Sequence, residues 1–281
     1  MELRAKYTLF AEGCRGHIGK QLLKRYNLDS EADAQHYGLG IKEIWDIDPA
    51  KHEEGLVVHT AGWPLDDDNP GGSFLYHIEN NQVVVGLIVD LSYSNPHLSP
   101  FDEFQRYKHH PVVSQYLEGG TRVAYGARAI TKGGLNSLPK FCTGDSPWSA
   151  LAAEAAADAI LQGREGQDEL TAYVDAFKSS WLYEDLYTSR NFGPAIHKFG
   201  AVLGGAFNYV DQNIFGGKIP FTLRDTTPDY AKLKLAADSK KIVYPKPDGK
   251  LSFDKLSSVF LSNTNHEEIQ PCHLKLTDAS I

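Results

Sequence analysis

Three cysteines, Cys14, Cys142 and Cys272, are scattered through 281 residues with no Cys-x-x-Cys pair, too few for a disulfide framework or for a zinc or iron–sulfur site built from this chain's thiolates. Reduced thiols in a cytosol-facing compartment are the expectation. No apolar run approaches the roughly 18–20 residues that a spanning helix needs, and the opening Met1-Glu-Leu-Arg-Ala-Lys6 lacks the apolar centre of a secretory signal. Basic runs are missing too. Lys and Arg number 28 against 36 Asp and Glu, a net charge of −8, so no clustered basic face invites nucleic acid. No repeat or low-complexity segment interrupts the chain. What is present, 42% hydrophobic and 23% charged residues, suits a globular protein able to bury a core.

Lys6–Ala11 reads as a buried strand, and Glu12-Gly-Cys-Arg-Gly-His-Ile-Gly19 as a glycine turn into a helix carrying Ile18, Leu22, Leu23 and Tyr26. Strand, turn and helix N-terminus together make an anion cradle. The spacing Gly-x-x-Gly-x-x-Gly is nevertheless not the dinucleotide fingerprint, and a plain connection has the same spacing. From residue 37 the pattern changes to short β runs, Tyr37–Trp45, Leu56–Gly62, Ser73–Ile78 and Gln82–Leu91, parted by Asp, Asn, Pro and Gly turns, which predicts an antiparallel sheet. Asp66, Asp67 and Asp68 lack the distal glutamate of a calcium loop and read as a solvated turn.

Ser99-Pro100 predicts a helix start, with the helix running to His109 and restarting at Pro111. His109 and His110 point about 100° apart on a helix, which favours surface or capping roles over metal ligation. Thr121–Ala127 is the last expected strand. After it, Ala124–Trp148 carries the paired glycines Gly133 and Gly134 and a Gly144-Asp145 turn, where backbone can close onto a flat ligand. Ser146-Pro147 then caps an Ala-rich helix, Trp148–Gln162. Leu170, Tyr173, Val174, Phe177, Trp181, Leu182 and Leu186 recur at helical spacing as the core stripe of one long helix. Phe199, Leu203, Phe207, Val210, Ile214 and Phe215, with Lys198 and Lys218 at the ends, fit a buried hairpin or an interfacial membrane patch. Tyr244–Gly249 reads as a turn and Leu251–Ser262 as an ordered element. The chain divides loosely near residue 142. No metal ligand set is expected.

Several stretches together resemble one family. Phe10-Ala-Glu-Gly-Cys-Arg-Gly-His17, Gly62-Trp-Pro-Leu65, Gly71-Gly-Ser-Phe-Leu-Tyr-His77, Asn95-Pro-His-Leu-Ser-Pro-Phe101, Phe104-Gln-Arg-Tyr-Lys-His-His-Pro111, Tyr125-Gly-Ala-Arg-Ala129 and Gly133-Gly-Leu-Asn-Ser-Leu-Pro139 are similar to the middle of electron transfer flavoprotein–ubiquinone oxidoreductase, in a bacterial flavour. Tyr244-Pro-Lys-Pro-Asp-Gly249 and Asn263-Thr-Asn-His-Glu267 extend the likeness over nearly the whole chain.

The resemblance implies an α+β fold: residues 1–141, part of an FAD domain plus an antiparallel ubiquinone-binding sheet (a truncated FAD/NAD(P)-binding-like fold), then a helical region, 142–281, ending before the 4Fe–4S domain. It implies an oxidoreductase that takes electrons from reduced electron transfer flavoprotein through FAD and a 4Fe–4S cluster to ubiquinone. Such an enzyme is peripheral on a membrane surface, the cytoplasmic face of the bacterial inner membrane or, in a eukaryote, the mitochondrial inner membrane. Cofactors carry the electrons in such an enzyme, and the protein binds and tunes them.

The resemblance also assigns residues. Gly133 and Gly134 would approach a quinone oxygen through bare backbone, with Tyr125, Arg128 and Lys132 as polar neighbours. Glu12, Gly13, Arg15 and Gly16 would lie near the flavin, and Gly144-Asp145 is the remnant of a motif whose carboxylate binds the ribityl chain. The apolar segment Phe199–Gly217 falls where the family has its interfacial membrane patch, which favours the patch over the buried hairpin. Departures are as specific: the N-terminal Gly-x-Gly-x-x-Gly is missing, so the ADP-binding βαβ unit is not expected, the family's four cluster cysteines lie past the matching stretch, and the run between Lys140 and Leu151 is shortened. Neither cofactor site is complete on this reading, which describes an interior fragment. A non-catalytic quinone- or membrane-binding piece and an FAD monooxygenase are the alternatives.

Overall fold

A computed structural model describes residues 2, 4–66, 69–139, 146–166 and 170–269. Asp67, Asp68, Cys142, Gly144, Asp145 and Cys272 lie outside them.

Five antiparallel strands form one sheet: β1 (Tyr37–Asp46), β2 (Val57–Ala61), β3 (Gly71–Ile78), β4 (Gln82–Asp90) and β5 (Thr121–Thr131), in the order β2-β3-β4-β1-β5. The hairpin between β3 and β4 turns on Asn80 and Asn81, both at positive φ, a conformation that asparagine tolerates and that suits the twist of a two-residue hairpin. Alternation decides the faces. Ile41, Glu43 and Trp45 of β1 point into the core, as do Ser73, Leu75 and His77 of β3. On the other face, the Phe74 ring covers the place where a Gly86 side chain would stand.

Two helices close the core face. α2 (Pro100–Tyr107) starts as its sequence dictates, with the Ser99 hydroxyl accepting from the Asp102 amide and proline in the first turn. α3 (Pro111–Leu117) begins again at proline, capped by the His110 ring. Phe104, Tyr107, Val113 and Leu117 pack beneath them against Ile41, Trp45, Val85 and Leu87. Leu251 is buried in the same cluster, with Ile242 and Phe253 against it.

Outside the sheet the chain departs from its sequence reading in three places. Lys6–Ala11 is not a strand: the segment is mostly exposed and pairs with no edge of the five-stranded sheet. Between α4 (Ser146–Leu161) and α8 (Lys255–Leu261), the single long helix expected over residues 170–186 is two, α5 (Thr171–Lys178) and α6 (Trp181–Thr188). The Ser180 hydroxyl accepts the Tyr183 amide and so caps a new start in mid-stripe. Trp181 is accordingly exposed, while Tyr173 packs with Ala152 and Ala155 of α4.

The segment read as a hairpin or patch is a helix, α7 (Phe192–Ile214), broken at Gly200, whose φ of 75° is open to glycine. The break folds the helix back until Gly204 lies against the Ala195 carbonyl and the Asn208 amide reaches the Phe192 carbonyl at 3.0 Å. No helix among the described residues is long and apolar enough to cross a membrane.

Candidate functional site

Strand β5 ends at Thr131, and Lys132 follows it with its amide donating to the His36 carbonyl at 2.8 Å. Gly133 and Gly134 come next, and they differ in kind. A side chain on Gly133 would occupy the space of the Ser137 hydroxyl, which donates to the Gly134 carbonyl at 2.9 Å; Gly134 itself meets nothing within 4 Å of its missing Cβ. Gly133 is therefore required by the turn, whereas Gly134 offers an open backbone face. Asn136 fastens the turn to the helical region by donating to the carbonyls of Arg190 (3.1 Å) and Leu223 (3.3 Å).

Of the residues expected beside this pair, only Lys132 is there. Tyr125 lies on the core side of β5, its ring 6.2 Å from that of Phe101, and burial pushes its hydroxyl pKa up. Arg128, three residues on, projects from the opposite face and is exposed. At about 3.3 Å per strand residue, Tyr125 stands roughly 25 Å from Gly133 along the chain and Arg128 roughly 15 Å.

The Glu12 turn arrives at the same corner of the sheet. Tyr37 pairs with Thr131 across β1 and β5; the Arg15 guanidinium lies 5.5 Å over the Tyr37 ring, and the Cys14 thiol donates to the Ala129 carbonyl at 3.3 Å. Gly13, at φ 77°, makes the turn possible. The expected anion cradle is already filled. The Glu12 carboxylate accepts the amides of Ile18 (3.1 Å) and Gly19 (2.6 Å) at the start of α1 (His17–Tyr26), and those backbone donors hold its pKa below the ordinary value. Gly16 is needed because a Cβ there would strike the Glu12 side chain.

A buried polar corner adjoins the glycine turn. His36, just ahead of β1, places Nδ1 2.6 Å from Asp229 Oδ1, and His197, on α7, places Nδ1 2.7 Å from Asp225 Oδ2. Lys132 reaches Asp90 at the end of β4, and Arg224 pairs with Asp33 at 2.5 Å. The Asp229 hydrogen bond raises the His36 pKa against the opposing effect of burial. Burial pushes the Asp225 carboxyl up, yet the His197 hydrogen bond and the charge of His36 leave it below the ordinary value. Sequence reasoning missed this corner, because its members come from five separate parts of the chain with no local spacing to announce them.

The proposed patch residues lie on α7 and its end. Leu203 is 69% exposed and Ile214 68%, with Phe199, Val210 and Phe215 also exposed. Phe207 is half-buried, its ring 6.2 Å from Phe199 and 6.3 Å from Phe221.

Two family models match this chain. One, described as ETF-QO, ubiquinone-binding, covers residues 37–130, which are the residues of the five-stranded sheet to within one position. The other, described as Electron transfer flavoprotein-ubiquinone oxidoreductase, 4Fe-4S, covers residues 249–281, inside the stretch read above as ending before that domain. The electron transfer flavoprotein-ubiquinone oxidoreductase of Pseudomonas aeruginosa is 74% identical over 100% of this chain and 55% of its own length. The mitochondrial proteins of that name are 46% identical in Rattus norvegicus (100% of this chain, 50% of the relative) and 44% in Dictyostelium discoideum (100% and 52%). The chain thus spans about half the length of these curated relatives. Each alignment is longer than the chain itself, so the relatives carry residues within the matched region that this chain lacks.

Proposed function

The chain belongs to the electron transfer flavoprotein–ubiquinone oxidoreductase family, and from that premise we propose that it forms the ubiquinone-facing part of an oxidoreductase passing electrons from reduced electron transfer flavoprotein to ubiquinone. The observation that carries this reading is the coincidence of the ubiquinone-binding match with a complete sheet whose last strand runs out into the open backbone of Gly134. On this reading a quinone oxygen meets the Gly133–Gly134 backbone, and the Lys132 ammonium, fixed by Asp90, supplies positive charge at that end of the sheet. Tyr125 and Arg128 act at a distance from the pair, as parts of the strand that presents it.

FAD and a 4Fe–4S cluster belong to the whole enzyme. The described residues do not complete either site: the α1 N-terminus holds Glu12 where a pyrophosphate would go, and Cys14 is the one cysteine among them. The Glu12–Gly16 turn stands beside the glycine pair and fits a flavin ring edge better than a phosphate. The exposed apolar side of α7 lies in a membrane interface in this reading, on the inner-membrane surface where the quinone is dissolved. The monooxygenase alternative has no support from either match.

In the full-length enzyme, Gly134→Val is expected to raise the KM for ubiquinone while leaving reduction of the flavin by electron transfer flavoprotein unchanged. An unchanged quinone KM sinks the assignment.

A further inference from the structure

The corner holding His36, His197 and Asp225 is built like a metal centre, and we propose that it binds one first-row divalent cation, with Zn2+ as the test ion. One ring nitrogen from each histidine and one Asp225 carboxylate oxygen lie within 4.8 Å of one another. Asp225 Oδ2 is 3.2 Å from His36 Nε2 and 2.7 Å from His197 Nδ1. Ligand atoms held at about 2.0–2.2 Å around a tetrahedral zinc stand about 3.3 Å apart, so small shifts suffice.

Three further observations point to a cation rather than to an ordinary hydrogen-bonded core. His36 is 93% buried by its 7% relative exposure, yet its Nε2 has no hydrogen-bond partner: the 3.2 Å approach to Asp225 is not aligned for one. A buried ring nitrogen with no hydrogen-bond partner, beside a carboxylate oxygen, is free to take a cation. Secondly, each histidine has a carboxylate near its other nitrogen. His36 Nδ1 is bonded to Asp229 at 2.6 Å, and His197 Nε2, also unpartnered, lies 3.8 Å from Asp90. Carboxylate, imidazole and metal in line is the usual way a protein orients a ligating histidine. Thirdly, Arg224 pairs with Asp33 and Lys132 with Asp90, and the direct side-chain partners of the two buried carboxylates Asp225 and Asp229 are the two imidazoles. Two imidazoles and one carboxylate form a nitrogen–oxygen set suited to zinc and its neighbours.

The site's consequence is mechanical. Its ligands come from the entry to β1, from α7 and from the segment after α7, so one ion clamps the kinked helix onto the sheet.

The test uses the tag-free chain, stripped with chelator and dialysed against Zn2+ or Co2+. One retained equivalent, a rise in Tm with Zn2+ and visible d–d absorption with Co2+ are expected. His197→Ala and Asp225→Asn should lose all three, Asp229→Asn should weaken binding 10- to 100-fold, and the exposed His266→Ala should change nothing. Should His197→Ala lose its near-ultraviolet circular dichroism, the graded loss in Asp225→Asn and Asp229→Asn decides instead. The proposal is overturned if the folded wild-type chain retains no metal, or if a His36→Ala/His197→Ala variant retains as much as wild type.

Discussion

The ammonium of Lys108 and the carboxylate of Glu43 meet at 2.9 Å in the middle of the protein, with neither side chain exposed to solvent. Arg122 reaches the other Glu43 oxygen at 3.0 Å, and the Trp45 indole donates to the same carboxylate at 2.9 Å. Aromatic faces complete the enclosure: Lys108 lies 5.1 Å over Phe104 and 5.2 Å over Phe253, and Arg122 lies 4.0 Å over Phe253. One carboxylate therefore satisfies two cations that have no other way to be buried at tolerable cost.

That enclosure sets a pH dependence. Burial holds the Lys108 pKa down to about 8, against the pull of Glu43 in the other direction. The folded pKa is below the unfolded value, so from about pH 8 upward the unfolded chain binds more protons than the folded one, and stability from this group rises with pH. Urea midpoints at pH 7.5 and 9.5 should therefore increase in wild type, after allowance for the remaining groups, and Lys108→Met should lose that increment. At neutral pH the same variant is expected to cost about 2 kcal/mol, since Arg122 still pairs with Glu43.

Phe253→Ala removes the ring that stacks on Arg122 and lies 5.9 Å from Trp45. A loss of about 2–4 kcal/mol is expected in equilibrium unfolding. Phe260→Ala on the exposed side of α8 should fall within about 0.5 kcal/mol of wild type. Equal effects at the two positions would mean that the tail is not docked on the sheet.

At the bend in α7, Gly204→Leu drives a side chain into the Ala195 backbone, 2.6 Å from where its Cβ would stand. The expected cost is about 2–3 kcal/mol. Gly200→Ala asks a residue with a Cβ to keep φ at 75° with ψ at 177°, a region open essentially to glycine, at about 1–3 kcal/mol. Thermal unfolding followed by circular dichroism measures both, and a Gly204→Leu chain as stable as wild type would refute the close approach of the two helix halves.

Membrane docking is best probed at the outermost apolar positions. Leu203→Asp and Ile214→Asp should each weaken liposome flotation by about 2 kcal/mol or more, roughly 30-fold. Flotation equal to wild type rejects an interfacial role for α7. Phe207 is the poorer probe, since a charge there also disturbs its contacts with Phe199 and Phe221.

Elements governed by local chemistry were legible in the sequence. The strands from Tyr37 to Asp90 follow from alternation and Asn, Asp, Pro and Gly turns, and the Ser99-Pro100 start follows from capping. Gly134 was legible as a bare backbone position. Its neighbourhood was not, because Tyr125 and Arg128 are near it in sequence but a strand separates neighbours by over three ångströms per residue and alternates their faces. The break at Ser180 was hidden because the apolar period continues across it while one serine hydroxyl restarts the helix. The histidine–aspartate corner had no local signal at all: only the tertiary fold brings the entry of β1, the end of β4, α7 and residues 225–229 together.

The stretch matched by the iron–sulfur family model begins at residue 249, yet its first residues are part of the sheet's own interior. The Asp248 carboxylate accepts the amides of Lys250, Leu251 and Ser252, the Phe253 amide donates to Gln105, and Arg122 donates to Ser258 at 2.7 Å. The start of the second matched region is therefore anchored in the core beneath the sheet. Its placement is a property of core packing, to be altered by resizing Phe253 rather than by lengthening a linker.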